Sequence, residues 1–408
     1  MTETGLNNAA ILIPQGVDME KWACVACDQF TSEKEYWDKL AEFVGGAKST
    51  LKLTLPEIYL NDKAEERIKA INTNIRNYLD SGVFRELPRG YVLTVRETPF
   101  VKRRIGLIAS ADLEKYDYKK GVKNLIRATE GTIEERIPPR LKIRENAAVE
   151  FPHIMILFDD ERREITEKLY ERRAEFTKLY DFTLNMGGGR IEGYFVPETE
   201  NLTEKFAALL DEERLISKYG VSDRLAFAVG DGNHSLATAK AHWDRVKETL
   251  TEEERKTHPA RFALAEFNNI YDEGIYFEPI YRLVNGVDRV KFIKELKAAA
   301  AGHFIITGGE EKTEVKGNAA LPAVISAIDG FIKEYIGTYG GAVDYIHGEE
   351  NLIKLVKADK NAVGIMPDAL NKSDLFRYVS KSGSLPRKTF SMGMGVEKRY
   401  YLEGKKIR

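Results

Sequence analysis

The stretch Arg224–Leu250, RLAFAVGDGNHSLATAKAHWDRVKETL, decides the expected fold, because it predicts a strand, a tight turn and a helix in direct succession. The apolar run 225–229 is typical of a buried strand, and the glycines of Gly230-Asp231-Gly232 tolerate positive φ at a turn. Ser235 is then the predicted N-cap of the helix. The face expected to pack on the core carries apolar residues at spacings of three and four: Leu236, Ala239, Trp243, Val246 and Leu250.

The turn predicts a binding site for an anion or a phosphate. A helix N-terminus presents backbone N–H groups and the positive end of the helix dipole, with Asp231, Asn233 and His234 beside them. The alternative is a plain βα turn in which His234 satisfies a neighbouring backbone group. A Gly-x-Gly turn alone does not separate these two interpretations, so both stay open.

The composition is that of a globular protein with a large core or with two domains. At 408 residues the chain exceeds the roughly 250 to 300 at which single cores stop growing. The net charge of -2 argues against general binding to nucleic acid or to a membrane surface. No apolar stretch reaches the roughly 18 residues of a membrane span and no secretory leader is recognised, so we expect a cytoplasmic protein.

The only cysteines, Cys24 and Cys27, have the Cys-x-x-Cys spacing of a redox pair or of half a metal site. The surrounding WACVACDQF predicts a continuous apolar strand, and no second pair of ligands is apparent. We therefore expect two buried structural thiols and no zinc. Asp28 follows where this strand gives way to a helix, which is a common place for site residues, although plain helix capping is the alternative.

The segment 121–152 concentrates charged side chains of both signs. Such a run is either a solvated face or a constrained loop that holds specific side chains, among them Arg127 and Glu130.

Two further patterns bear on phosphate binding. The loop after Pro386 carries Arg387 and Lys388, and it is either a surface loop or a donor-rich loop that returns to an anionic ligand. The triple glycine 187–189 precedes a strand-like segment, so it predicts a β-hairpin and not a phosphate loop.

These patterns together predict an α/β (mixed α+β) protein. Helices and strands alternate regularly from about residue 287 onward. We expect a main domain over residues 1–285 that carries the Asp-Gly-Asn-His turn. A smaller C-terminal α/β subdomain would cover residues 286–408, with the loop 385–391 returning to the site.

The chain resembles the bacterial and archaeal family of unknown function numbered 1015 (DUF1015). The resemblance covers nearly the whole chain through ACDQFTSEKEYW, IRATEGTIEERIPPR, VGDGNHSLATAKA, FEPIYRL, VDYIHGEENL and LPRKTFS. Much of that family shows Asp-Gly-His-His-Arg at the central turn, to which Asp231, Gly232 and His234 correspond, whereas Asn233 and Ser235 depart from it. The His-Arg pair often seen after the Glu-Pro motif is here Tyr-Arg, so only Arg282 carries over.

The Asp-Gly-x-His turn is in turn similar to the phosphate-binding box of the ParB and sulfiredoxin-like superfamily, which includes a nucleotide-dependent kinase of free serine. This resemblance implies a ParB-like core with elaborations. The family's frequent gene neighbourhood with serine biosynthesis implies a role in small-molecule metabolism.

The leading hypothesis is phosphoryl transfer between a nucleoside phosphate, with Mg²⁺, and serine or a related hydroxy amino acid. Asp231 or Glu130 would bind Mg²⁺ or take the hydroxyl proton, and His234 completes the candidate catalytic set. The candidate phosphate- or substrate-binding residues are Arg127, Gly232, Asn233, Ser235, Arg282, Arg387 and Lys388. No metal site built from protein ligands alone is predicted.

Two alternatives remain open beside the kinase hypothesis. One is a non-catalytic nucleotide- or metabolite-binding regulator, and the other is metal-free hydrolysis of a phosphoester through His234. In every version the expected partner is a small anionic molecule and neither nucleic acid nor membrane, with a homodimer as the oligomeric state to consider.

Overall fold

The computed structural model describes residues 4–119, 121–299, 301–309 and 311–408. The strands are β1 (Leu6–Asn7), β2 (Ala9–Pro14), β3 (Cys24–Val25), β4 (Phe84–Glu97), β5 (Arg104–Asp112), β6 (Tyr116–Asp117), β7 (Ile126–Ala128), β8 (Val149–Glu150), β9 (Met155–Phe158), β10 (Thr177–Leu184), β11 (Gly189–Pro197), β12 (Phe227–Asp231), β13 (Phe262–Asn269), β14 (Phe277–Pro279), β15 (Tyr281–Asn285), β16 (Phe304–Thr307), β17 (Lys312–Val315), β18 (Ala342–Ile346), β19 (Val363–Pro367), β20 (Phe390–Met392), β21 (Tyr400–Tyr401) and β22 (Lys405–Lys406).

The α-helices are α1 (Met19–Trp22), α2 (Lys34–Val44), α3 (Ala64–Asp80), α4 (Ile137–Arg144), α5 (Thr166–Glu171), α6 (Leu202–Ala208), α7 (Glu212–Tyr219), α8 (Asn233–Val246), α9 (Glu252–Thr257), α10 (Arg289–Ala299), α11 (Leu321–Tyr339), α12 (Glu349–Ala358) and α13 (Leu375–Ser382). The predicted mixed α/β class is confirmed. Over the described ranges, none of these helices combines the length and the apolar character needed to cross a membrane.

The chain forms two compact units. The first comprises Met1–Ile275, Val379–Gly383 and Met394–Arg408, and the second comprises Tyr276–Tyr378 and Ser384–Gly393. The last fifteen or so residues of the chain thus pack within the first unit, where β21 pairs with β3 and β22 pairs with β8. The expected boundary between residues 285 and 286 stays a prediction.

A large mixed sheet organises the first unit. Its strand order is β10-β11-β4-β5-β13-β9-β12-β7-β6, with β1 on β5 and β2 on β4. The pairs β12–β7, β13–β9 and β6–β7 are parallel, and the other neighbours in this sheet are antiparallel. Strands β12, β7 and β6 run parallel to one another, so their carboxyl ends and the loops that follow lie at the same edge of the sheet.

Both faces of this sheet are covered by hydrophobic cores. Strands β4 and β5 pair Val92 with Ile108 and, one residue further, Leu93 with Leu107. Val92 and Ile108 belong to one buried cluster and Leu93 and Leu107 belong to the other, as the alternation of side chains along a strand requires. The central strands can therefore be apolar on both sides.

The central stretch forms the predicted strand β12, a turn and helix α8. The predicted core face is confirmed for Leu236, Ala239 and Trp243, which are buried, and Val246 packs against the same cluster. The predicted N-cap is wrong: the N-cap is Gly232, in the left-handed conformation, and α8 begins at Asn233. Glycine adopts that conformation without a steric cost, so the helix begins three residues earlier than a Ser235 cap would allow.

Other local predictions have mixed outcomes. The triple glycine forms the hairpin between β10 and β11, as predicted. Thr251 and Glu254 form the capping box of α9. The prediction of a continuous strand around the cysteines is wrong, because β3 covers only Cys24–Val25. Both cysteines are buried free thiols, as predicted, and burial raises the pKa of Cys27 to about 12.

The second unit is a smaller α/β layer. Its sheet has the order β17-β16-β19-β15-β18 and is antiparallel throughout, and β14 and β20 form a separate two-stranded ribbon. Helices α10 and α11 cover the sheet with Phe292 and Leu296 from one and Val324 and Ile328 from the other. This unit has its own hydrophobic core.

Candidate functional site

Three neighbouring strands bring polar side chains to one edge of the large sheet. Strand β7 runs parallel to β12, so Glu130, two residues past β7, lies toward the same edge as Asp231 at the end of β12. Strand β9 runs antiparallel to β12 and pairs Met155 with Asp231. His153, which precedes β9, therefore reaches this edge as well. The site is thus assembled from the ends of strands that are distant in sequence.

The N-terminus of helix α8 opens at this edge without a side-chain cap. Gly232 has φ 78° and no side chain, and among the described residues no side-chain hydrogen bond caps the helix. A Cβ atom at Gly232 would lie 3.0 Å from the Cα of Ile154, so the turn lies too close to the backbone of the segment before β9 to accommodate a larger residue. The first-turn N–H groups, including that of Ser235, are the donors that such an N-terminus offers to an anion.

His153 is the centre of a hydrogen-bond network beside this helix end. Its Nε2 lies 3.2 Å from Ser235 Oγ and 3.3 Å from Asp28 Oδ2. Its Nδ1 lies 2.8 Å from the hydroxyl of Tyr401, which also accepts the backbone N–H of Cys27 at 3.2 Å. Because Ser235 and Asp28 meet the same imidazole nitrogen, the arrangement differs from a catalytic triad, in which the hydroxyl and the carboxylate face opposite nitrogens.

The charges of Asp28 and His153 support each other. Burial alone would raise the pKa of Asp28, but the nearby His153, hydrogen bonds from His153 and Gln29, and the charge of Lys398 hold this pKa well below its usual range. Burial alone would lower the pKa of His153, but Asp28, followed by Asp231 and Glu57, raises it above the ordinary value. The imidazolium form is therefore favoured next to the N-terminus of α8.

Lys398 supplies a second cationic group at the turn. Its Nζ lies 3.2 Å from Asp231 Oδ2, and both side chains are largely buried. The other oxygen of Asp231 accepts the N–H of Gly232 at 3.0 Å. Lys398 and Tyr401 both belong to the C-terminal segment, so that segment completes the site.

His234 makes the contact expected of the plain-turn alternative. Its Nε2 accepts the backbone N–H of Ile133 at 3.3 Å, and the residue lies within the first turn of α8, not before the helix. The adjacent Asn233 differs, because its Oδ1 is buried without a hydrogen-bond partner in the part of the chain that the structure describes. The site therefore depends more on the helix end and its surroundings than on the His234 side chain.

Arg127 is engaged by a buried carboxylate. Its two terminal nitrogens donate to Asp223 at 2.5 and 2.6 Å, and its Nε donates to the carbonyl of Asn124 at 2.7 Å. The side chain is 6% exposed. These contacts use three of the five N–H donors of the guanidinium, and ligand binding by Arg127 stays a prediction.

The remaining predicted site residues belong to the second unit. Arg282 is fully buried and donates to Asp329 at 2.8 and 2.9 Å and to the carbonyl of Lys388 at 3.0 Å. Arg387 and Lys388 are exposed, and Lys388 has φ 58°. Their participation in the site stays a prediction.

Sequence reasoning missed His153, Lys398 and Tyr401. His153 lies two residues before the buried strand β9, and a polar residue at such a position beside the central turn is a usable signal. Lys398 and Tyr401 lie in a C-terminal segment without periodicity, so no local pattern marks them.

Over the described ranges, no group of three or more His, Cys, Asp or Glu side chains is arranged to hold a metal ion.

A family model described as "Protein of unknown function (DUF1015)" matches residues 12–406. The chain belongs to the DUF1015 family. Among curated proteins, none matches this DUF1015 protein.

Several solved structures share a broad similarity with this DUF1015 protein. A free serine kinase in complex with AMP has 9% identity and a TM-score of 0.40, over 74% of this chain and 92% of the kinase. A conserved hypothetical protein from Pyrococcus furiosus has 11% identity and a TM-score of 0.37, over 72% and 93%. SbnI from Staphylococcus aureus, truncated at its C-terminus, has 10% identity and a TM-score of 0.36, over 70% and 82%. Likeness at this level does not indicate a shared activity.

Proposed function

We propose that the turn between β12 and α8 binds the phosphate of a small molecule, with a nucleoside phosphate as the ligand class. The observation that carries this proposal is the N-terminus of α8, which no described side chain caps and which lies beside Lys398 and His153. A helix N-terminus carries roughly half a positive charge, and its N–H groups match the geometry of phosphate oxygens.

The local charge balance supports an anionic ligand. Asp231 is neutralised by Lys398, and Asp28 is neutralised by His153 when the imidazole is protonated. The remaining positive charge is that of the helix end. A phosphate placed there would compete with Asp231 for Lys398, and charge-assisted hydrogen bonds of this kind contribute about 1.5 to 3 kcal/mol each.

For turnover, we propose phosphoryl transfer from the nucleotide to the hydroxyl of serine or a related metabolite. The hydroxyl oxygen forms a bond to the terminal phosphorus of the nucleotide, and the bond from that phosphorus to the bridging oxygen breaks, so the nucleotide leaves one phosphate shorter. The hydroxyl proton passes to the carboxylate of Asp231 or Glu130. Mg²⁺ is commonly held by one or two carboxylates together with substrate phosphates, and these two residues lie toward the same edge of the sheet. When bound, the ion would neutralise phosphate charge.

A thermal-shift screen with ADP, ATP, CTP, serine and phosphoserine tests the binding step. We expect at least one phosphorylated ligand to raise the melting temperature of the wild type and the Lys406→Gln control but not of Lys398→Gln. Lys406 is half exposed and pairs with Glu86. Its replacement by glutamine removes the same charge as Lys398→Gln, but at a position away from the turn. The absence of any shift with every phosphorylated ligand would contradict the proposal.

A phosphate-transfer assay on the ligands that bind separates the two classes of function. Transfer to serine or a related hydroxyl supports the kinase proposal. Binding without transfer supports the alternative, a nucleotide- or metabolite-binding regulator.

A further inference from the structure

A cavity of about 170 Å³ lies in the first unit directly beside the candidate phosphate site. Four side chains line both the cavity and the site: Asp28, His153, Ser235 and Tyr401. Thr238, one turn further along α8, also lines the cavity, and its hydroxyl donates to the carbonyl of His234 at 2.7 Å. The cavity therefore continues from the N-terminus of α8 along the side of this helix.

Apolar side chains form most of the inner wall of this cavity. They come from several segments, among them Leu53, Leu55, Ile71, Ile75, Ile143 and Phe151. An apolar cavity of about 150 Å³ in another protein accommodates benzene, so this volume suits a six-carbon group. Burial of a hydrocarbon group of a ligand against these side chains is favourable, whereas burial of a charged group there is not.

The charged residues of the wall are already paired. Arg140 contacts Glu57, and Arg144 lies 2.6 Å from Glu150. The Nε atom of Arg144 is buried without a hydrogen-bond partner among the described residues, so it remains able to donate to an uncharged oxygen of a ligand. These pairs have little exposed surface, so a charged group on the ligand would have to displace a buried partner. An uncharged group requires no such exchange.

We infer that the ligand of the turn carries an uncharged arm of about four to six carbon atoms, aliphatic or aromatic, that enters this cavity. This inference rests on the proposed phosphate site and specifies the substrate class of that site. The phosphate lies at the N-terminus of α8, and the arm extends past Ser235 and Thr238 into the apolar part of the cavity, which Ile75 and Phe151 help to line. A ligand that consists only of phosphate and a short polar body leaves the cavity unfilled.

Calorimetric titration of the full chain with methyl, butyl, hexyl and phenyl phosphate tests this inference. Burial of a methylene group contributes about 0.8 kcal/mol, so we expect affinity to rise about fourfold per methylene from methyl to butyl phosphate. The rise should level off once the arm exceeds the cavity. Phenyl phosphate should bind more tightly than methyl phosphate.

Filling the cavity should remove this gain selectively. Ala147 is buried and lines the cavity, and Ala208, at the exposed end of α6, provides the matched control. We expect Ala147→Leu to bind methyl phosphate like the wild type but to lose the preference for longer arms, whereas Ala208→Leu keeps it. If Ala147→Leu does not fold, Leu60→Phe at the half-buried rim of the cavity serves the same purpose.

The outcomes separate this inference from the proposed function. Equal affinity of the wild type for all four phosphates would overturn the inference and leave the phosphate site standing. An unchanged chain-length preference in folded cavity-filling variants would overturn it as well. No binding of any phosphate, including the nucleotides, would overturn the proposed function and with it the inference.

Discussion

At the scale of single residues, the site depends on which carboxylate pairs with each positively charged side chain. His153 meets Asp28 and Ser235 through one nitrogen and Tyr401 through the other. Its raised pKa keeps the imidazole charged to higher pH than an ordinary histidine. The same shift stabilises the fold below the ordinary histidine pKa of about 6.5, and that contribution is lost as pH rises through the raised value.

This shift predicts a pH dependence of ligand binding. We expect the affinity of the wild type for a phosphorylated ligand to fall as pH rises through the raised pKa of His153, because the imidazolium charge is lost. The His153→Gln variant should bind more weakly at low pH and lack this fall. Titration calorimetry from pH 6 to 9 measures both proteins, and the ligand's own titration is common to them. Parallel pH profiles would contradict the assignment.

His242 predicts a pH effect of the opposite sign on stability. It is 4% exposed, and burial, followed by the charges of Arg144 and Arg408, lowers its pKa to about 4. Below about pH 6.5 His242 binds a proton in the unfolded chain but stays neutral in the folded protein. Stability that is present above that pH is therefore lost as pH falls toward 4.

We therefore expect the wild type to lose about 1.6 kcal/mol more than His242→Gln between pH 6.5 and pH 5. Urea unfolding at the two pH values measures this difference. His303→Gln is the control, since His303 is partly exposed and its pKa is raised by Glu314 and then by Asp368. A histidine resonance of His242 that titrates near 6.5 would be incompatible with this prediction.

Pairings at this scale were the part of the site that the sequence did not reveal. Asp223 pairs with Arg127, and Asp329 pairs with Arg282, so two of the arginines that the sequence predicts as phosphate ligands are held by carboxylates. Lys398, which the sequence does not mark, pairs with Asp231. An ion pair between distant segments leaves no local pattern, because the charge of each partner alone is equally compatible with a solvated surface.

At the scale of elements, the turn between β12 and α8 depends on the conformation of Gly232. Its φ of 78° closes the turn, and a Cβ there would lie 3.0 Å from Ile154 Cα. Gly220, at the end of α7, has a similar φ of 73°, but its nearest neighbour is the flexible end of Lys381 at 3.7 Å. A side chain would strain the backbone at both glycines but would clash with a neighbouring segment only at Gly232, so comparing substitutions at the two positions distinguishes these effects.

We expect Gly220→Ala to cost about 1 kcal/mol from the left-handed conformation alone. Gly232→Ala should cost more, because Ile154 must also move, and it should weaken binding of a phosphorylated ligand. Urea unfolding and calorimetry of both variants measure these effects. An equal stability loss in the two variants, with unchanged ligand affinity, would show that the close approach at Gly232 has no role.

Periodicity predicted the body of α8 but not its start. The stripe of Leu236, Ala239 and Trp243 repeats with the helical period, and burial follows it. The predicted start after Ser235 relied on a side-chain cap, whereas the structure uses a left-handed glycine at Gly232. A serine has the same preference at an N-cap whether or not a glycine has already begun the helix, so the sequence leaves this boundary open.

At the scale of the whole molecule, the C-terminal segment is the feature least accessible to sequence reasoning. The segment after Met394 packs in the first unit, where Trp22 donates to the carbonyl of Leu402 at 3.0 Å. Its short strands pair with segments near the start of the chain and the middle. Strands of two residues carry no periodic signal, although the mixed α/β class was predictable from the longer elements.

The basic loop of the second unit provides a prediction at this scale. Arg387 is exposed, and we expect Arg387→Gln to weaken binding of a phosphorylated ligand about tenfold, in the range of one charged hydrogen bond. Arg377→Gln, an exposed position in the same unit that pairs with Asp374 at 3.6 Å, is the matched control. Equal affinity of the two variants in calorimetry would remove Arg387 from the site.

A charge placed in the first turn of α8 tests the central claim most directly. A glutamate three residues into a helix is favourable for the helix itself, so Ser235→Glu should keep or raise the melting temperature while its carboxylate occupies the phosphate position. Ser235→Gln has nearly the same shape without the charge, and both variants remove the hydroxyl that contacts His153. The measurement is the calorimetric affinity of both variants for the phosphorylated ligand found in the screen. A phosphate at the turn predicts at least tenfold weaker binding by Ser235→Glu than by Ser235→Gln, and equal affinities would contradict it.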